Sequence, residues 1–154
     1  MMWVCRPGKH SCYYDQVINN SEIFLGWEGY NTDLSVLNRL DEFRTLVISE
    51  KDPDAPTTIS NWAGQLYSFC LAMKVDDYVL IPAQSSRFYT LAILTGDYEY
   101  KKGAKFPHTR KIRILNQRMD RDMFMKSTQY SLGAFRTVFK VKQEDEVLRV
   151  AHIK

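Results

Sequence analysis

Three features of the 154-residue sequence predict an α+β fold, a curved sheet or small β-barrel carrying two main helices. Strand-like apolar runs bounded by turn residues recur along the chain, and those of the second half lie close enough together to join as hairpins. Two helix-like stretches sit next to each other in the first half. The βαβ rhythm of nucleotide-cofactor folds is missing, as are a GxGxxG fingerprint and a Walker loop.

In chain order, residues 3–6 read as a short strand closed by Pro7-Gly8, and residues 13–18 as one or two helical turns. The continuous apolar run at 23–27 predicts a short buried strand. Asp33 to Ser35 offer N-caps for a helix on which Leu40, Phe43, Leu46 and Val47 recur. That helix must stop before Pro53 and Pro56. Thr57 or Thr58 then caps the clearest helix, whose stripe of Ile59, Trp62, Leu66, Phe69 and Met73 follows spacings of three and four. Strands follow at 78–81, at 88–100 with a bend at Gly96, at 108–115 and at 137–141, with a short helix at 122–129. One domain is expected over residues 1–142, with 143–154 a polar tail or linker.

Composition supports one ordinary core: 45% of residues are hydrophobic and 25% charged, far from the signature of disorder. No apolar run reaches the roughly 18 residues of a membrane span, and residues 1–8 lack a signal-peptide stretch, so a cytoplasmic location is expected. Cys5, Cys12 and Cys70 are an odd count with no CxxC spacing, which argues against a disulfide framework or a zinc ribbon. Cys5, His10 and Cys12 would need a distant fourth ligand such as His108, so neither a metal nor a cofactor is expected. The formal charge is only +3, but residues 101–121 hold eight Lys or Arg against one acid, Asp120. On the strand at 108–115, Lys111 and Arg113 alternate with Ile112 and Ile114. They define, with Arg110, a candidate phosphate-binding face.

Six segments run in an order that resembles one known family: Trp3-Val4-Cys5-Arg6-Pro7-Gly8, Leu25-Gly26-Trp27, Asn61-Trp62-Ala63-Gly64-Gln65-Leu66-Tyr67-Ser68-Phe69, Thr95-Gly96-Asp97-Tyr98-Glu99-Tyr100, Pro107-His108-Thr109-Arg110, and Ser131-Leu132-Gly133-Ala134 leading to Thr137-Val138-Phe139. Together they resemble the EVE-like, PUA-superfamily domain at the N-terminus of Mrr-type, modification-dependent restriction proteins. The resemblance implies a PUA-like barrel with a pocket for a flipped, often methylated base, serving restriction or defence while a separate nuclease or NTPase partner does any cutting. The chain departs from that pattern at Asp76-Asp77, where a Gly-Asp turn is usual, and at Ala92, where glycine is usual.

A base drawn from the stack costs a few kcal/mol, which stacking on aromatics and hydrogen bonds to the base edge can offset. The aromatic candidates are Trp27, Trp62, Tyr98 and Tyr100, and the polar ones Asn61, Gln65 and Asp97. Trp62 also belongs to the apolar stripe and is expected to serve the core. Asn61 and Gln65 lie four apart and off that stripe, so both amides are expected to face a ligand, and truncating either should barely change stability.

The expected partner is DNA, with RNA left open and no membrane. No catalytic residue is expected. A nuclease would need Pro53-Asp54 to converge with Glu99-Tyr100-Lys101 from more than forty residues away, and GxSxG, HExxH and deaminase patterns are missing. Cys70 on a buried helix is a poor nucleophile. A non-catalytic protein-interaction or RNA-binding regulatory module is the alternative.

Overall fold

The computed structural model describes residues 1–153. Its strands are β1 (Met2–Cys5), β2 (Glu22–Phe24), β3 (Tyr78–Pro82), β4 (Phe88–Leu94), β5 (Glu99–Tyr100), β6 (His108–Asp120) and β7 (Val138–Lys140). They form one curled sheet, a half-barrel, in the order β2-β6-β4-β3-β1-β7, with β5 also on β6. Among the described residues β1 and β3 run parallel, and the other pairs are antiparallel. The α+β, PUA-like curved sheet expected from sequence is the observed architecture.

The sheet is covered on both faces, which is why its central strands read as continuous apolar runs. Along β1, Trp3 and Cys5 face one core while Met2 and Val4 face another, and β3 alternates in the same way through Val79, Leu80 and Ile81. The first core is closed by α2 (Leu40–Lys51) through Phe43 and Val47, and by α3 (Pro56–Tyr67) through Ala63 and Leu66. The second is closed by α4 (Lys126–Leu132) through Leu132, and by α5 (Glu144–Val150) through Val147. The segment expected to trail as a polar tail thus folds back as a helix. Its fully buried Val147 anchors it in the second core, while Glu146 turns to α4 and accepts from Met125 N–H at 2.8 Å and from Thr128 Oγ1 at 2.6 Å. The short α1 (Tyr14–Asn20) adds Val17 to the first core.

Several local expectations change for physical reasons. Pro56 occupies the first turn of α3 behind an Ala55 N-cap, so neither Thr57 nor Thr58 caps it. Proline suits that position because its missing N–H would be unpaired there anyway. The helix then widens into a π turn at Ser68–Ala72, closed by Met73 N–H donating to Ser68 O at 2.9 Å. The long strand expected at 88–100 is broken into β4 and β5 around Gly96, while β6 runs on to Asp120. Asp76, where the resembled family has glycine, holds φ at +77°, the left-handed conformation that glycine adopts most cheaply. Its neighbour Asp77 accepts from Trp3 Nε1 and Lys74 N, both at 3.0 Å. Among the described residues no helix is long and apolar enough to cross a membrane.

Candidate functional site

A cavity of about 620 Å³ opens between α3, the segment after β2 and the loop before β7. Trp27, Asn61, Trp62 and Gln65 all line it. Sequence spacing placed the last three on one helix, but only the curl of the sheet brings Trp27 to them. Both indoles are half-buried, touching the first core on one side and the cavity on the other. Trp62 therefore serves packing and cavity together.

A hydrogen-bond network fixes this wall. Trp27 Nε1 donates to Thr137 Oγ1 at 3.1 Å, and the Thr137 and Val138 amides donate to Gln65 Oε1 at 2.9 and 3.0 Å. Gln65 Nε2 donates in turn to Asn61 Oδ1 at 2.6 Å. Gln65 is thereby only 7% exposed and acts as a brace for the entry to β7. This corrects the expectation that both amides face a ligand: Gln65 is consumed internally, while Asn61, its oxygen engaged by Gln65, lines the cavity with its Nδ2 donors uncommitted among the described residues.

Tyr30 was missed. It lies three residues past Trp27, turned back by Gly29 at φ +96°, with its ring centroid 6.2 Å from the indole of Trp27. It lines the cavity, yet its buried hydroxyl has no hydrogen-bond partner among the described residues. Burial pushes that hydroxyl's pKa up, with Glu50 adding to the effect. A buried polar atom left unpaired is unusual, and a ligand group is one way to satisfy it. The signal available in sequence was its place beside Gly29 just after the matched Leu25-Gly26-Trp27. Thr57 and Thr58 add hydroxyls, Lys51 places its Nζ 5.8 Å from the Tyr30 ring centroid, and Phe135 and Arg136 form part of the wall.

Other predicted residues go elsewhere. Tyr98 does not line the cavity: its ring packs edge-on against Phe69, because its position on the turn before β5 faces the first core. Its hydroxyl accepts from Leu34 N–H at 3.1 Å and donates to His108 Nδ1 at 2.6 Å, while His108 Nε2–H donates to the Tyr30 carbonyl. Tyr98 thus positions Tyr30 from behind. Asp97 is exposed and also outside the cavity, and Tyr100 donates to Asn31 O at 2.8 Å.

Burial lowers the pKa of His108, so the folded state holds the ring neutral, while the unfolded ring titrates near its ordinary 6.5. The unfolded chain therefore takes up the proton first as pH falls. The stability that comes from a neutral His108 is complete above that value and drains away below it, at a slope of at most about 1.4 kcal/mol per pH unit. Denaturant unfolding at pH 7.5, 6.5 and 5.5 is expected to show this fall, and His108→Gln to flatten it.

Arg110 does not bind phosphate at the surface. It is 2% exposed, and its guanidinium donates to Phe69 O (3.2 Å), Met73 O (2.6 Å) and Gly96 O (3.1 and 3.2 Å). The basic block is also partly neutralised, since Lys101 pairs with Glu22, Lys111 with Glu99 at 3.8 Å, and Arg118 with Asp120. Lys111 and Arg113 are exposed on β6 as the alternation required. Burial pushes the thiols of Cys5 and Cys70 up to about 12, which removes both as nucleophiles. Among the described residues no three His, Cys, Asp or Glu side chains converge to hold a metal ion.

A family model described as a domain of unknown function, DUF8426, matches residues 3–142. The chain belongs to that family. The DUF8426 match takes in every residue of the cavity and stops short of α5. No curated protein matches the chain.

Proposed function

We propose that this chain is a non-catalytic nucleic-acid reader that receives one base, rotated out of a DNA duplex, in the cavity beside Trp27. The observation that carries the reading is the convergence on one concavity of two half-buried indoles, Asn61, and Tyr30, whose buried hydroxyl has no partner among the described residues. Its volume falls in the usual range of small-ligand pockets, roughly 300–1,000 Å³. Stacking is worth about 1–3 kcal/mol per base, so aromatic faces offset much of the cost of extrusion. Amide and hydroxyl then supply directional contacts to the base edge. The resemblance to EVE-like, PUA-superfamily domains favours a modified, methylated base and a role in restriction or defence, with any cutting done by a nuclease or NTPase partner.

Tyr30→Phe is the sharpest test. Removing a buried, unpaired hydroxyl should leave the fold as stable or slightly more so, while weakening binding of the read base by roughly 3–10-fold, the worth of one hydrogen bond. Asn61→Ala should lower affinity for the modified duplex to a similar extent. The probes are duplexes carrying one 5-methylcytosine, 5-hydroxymethylcytosine or N6-methyladenine against the plain sequence, followed by fluorescence anisotropy. Equal affinity of the wild type for all of them, or preference untouched in both variants, rejects the reading; preference for single-stranded RNA would move it to that partner.

A further inference from the structure

A second hollow, of about 550 Å³, lies on the other side of the wall formed by Trp27, Phe135 and Thr137. Its chemistry differs from that of the first. Arg6, Lys9, His10, Ser85 and Ser86 line it, and among the described residues no Asp or Glu does. Arg6 is half-buried at the end of β1. One guanidinium nitrogen lies 3.4 Å from Ser86 Oγ and another 3.0 Å from Ala134 O, and the cation has no carboxylate within ion-pair distance among the described residues. A cation withdrawn from water without a counter-charge is costly, and an anion arriving in the hollow would neutralise it.

Two turns build the walls, and both are held in left-handed backbone conformations, at Gly8, His10 and Ser11 on one side and Ser85 and Ser86 on the other. Four of these five are not glycine, so the fold maintains a conformation that costs about 1–2 kcal/mol per residue. Further positive charge lies close by. Lys105, from the basic block, places its Nζ 5.4 Å from the Tyr13 ring centroid, and that ring packs so tightly on Gly8 that a Cβ there would come within 2.4 Å of it.

We propose that this hollow is a phosphate seat, holding a backbone phosphodiester of the strand whose base enters the neighbouring cavity. Arg6 supplies fixed charge, Lys9 and His10 mobile donors, and the two serines hydroxyls, a donor set suited to an anion with several acceptor oxygens. The shared Trp27–Phe135 wall would then stand between base and phosphate. This assignment rests on the reading of the first cavity as a base site, but its test is separable.

Arg6 also props Ala134, so it is a poor variant. Lys9 and His10 are exposed, and replacing both by Gln should leave folding intact. The experiment walks a single neutral methylphosphonate along the phosphates flanking the read base and measures affinity and salt dependence. In the wild type one position should cost most. In Lys9→Gln/His10→Gln the salt slope should fall by about 1, and the methylphosphonate at that position should cost nothing further. An unchanged slope together with an unchanged methylphosphonate profile overturns the seat. Orthophosphate competing as effectively as the oligonucleotide overturns its assignment to a strand. Loss of base preference in the wild type with the Lys9/His10 coupling intact would reject the base reading alone and leave the seat standing.

Discussion

Arg110→Ala should be the most damaging single substitution in this chain, costing about 4 kcal/mol or more and lowering the melting temperature by roughly 8–16 °C. The guanidinium serves three carbonyls from two places, Phe69 in the π turn that follows α3 with Met73 just past it, and Gly96 between β4 and β5. Phe69 O and Met73 O lie at the end of the helical run, where carbonyls lack intrahelical partners, and Arg110 supplies them. Alanine would leave buried oxygens unpaired and a void where a long side chain had been. Lysine is no remedy, since one ammonium cannot span both sites in the planar fork geometry. Thermal unfolding followed by circular dichroism checks this. A loss below about 1 kcal/mol would mean that solvent readily replaces the guanidinium.

Gln65→Ala should come next, at about 2–4 kcal/mol, because it strands the Thr137 and Val138 amides and frees Asn61. Its effect on ligands should exceed that of a pure stability variant. Trp27 is held through Thr137, so slack in the loop passes directly to the indole. Gln65→Glu separates the two roles, since it keeps an oxygen for the amides but loses the donor to Asn61. It should recover most of the stability while leaving ligand preference impaired. Chemical denaturation and duplex binding on the same samples check both; a Gln65→Ala protein as stable as wild type would show that the brace carries no load.

Much of this architecture was readable in the residues. The stripe through Ile59, Trp62 and Leu66 marked α3 and ran on through Phe69 into the π turn, and the apolar runs at 3–6 and 78–81 marked β1 and β3 as strands, though not that both their faces are covered. The parity of β6 also contained an answer that charge obscured. Arg110 shares its face with Ile112, and therefore points inward, whereas a basic neighbourhood suggested phosphate. Gln65 was misassigned for the opposite reason. An amide adjoining a buried stripe is polar by composition, but its environment is set by β7, which arrives seventy residues later in the sequence. Helical spacing holds no record of that meeting. Tyr30 lay beyond reach in the same way, since an unpaired hydroxyl is a property of its surroundings and not of its residue type.

The two-sided sheet also governs how this protein can be divided. The family match ends at residue 142, yet the apolar face of β1, β3 and β4 opposite α2 and α3 is roofed in part by Val147 and Ala151. A fragment cut at that boundary would keep both cavities whole but open part of the core that holds Met2, Val4 and Leu80 to water, an adhesive patch of the kind that drives aggregation. Whoever grafts this domain onto another protein would do well to carry residues 143–153 along, as a lid on the back of the sheet.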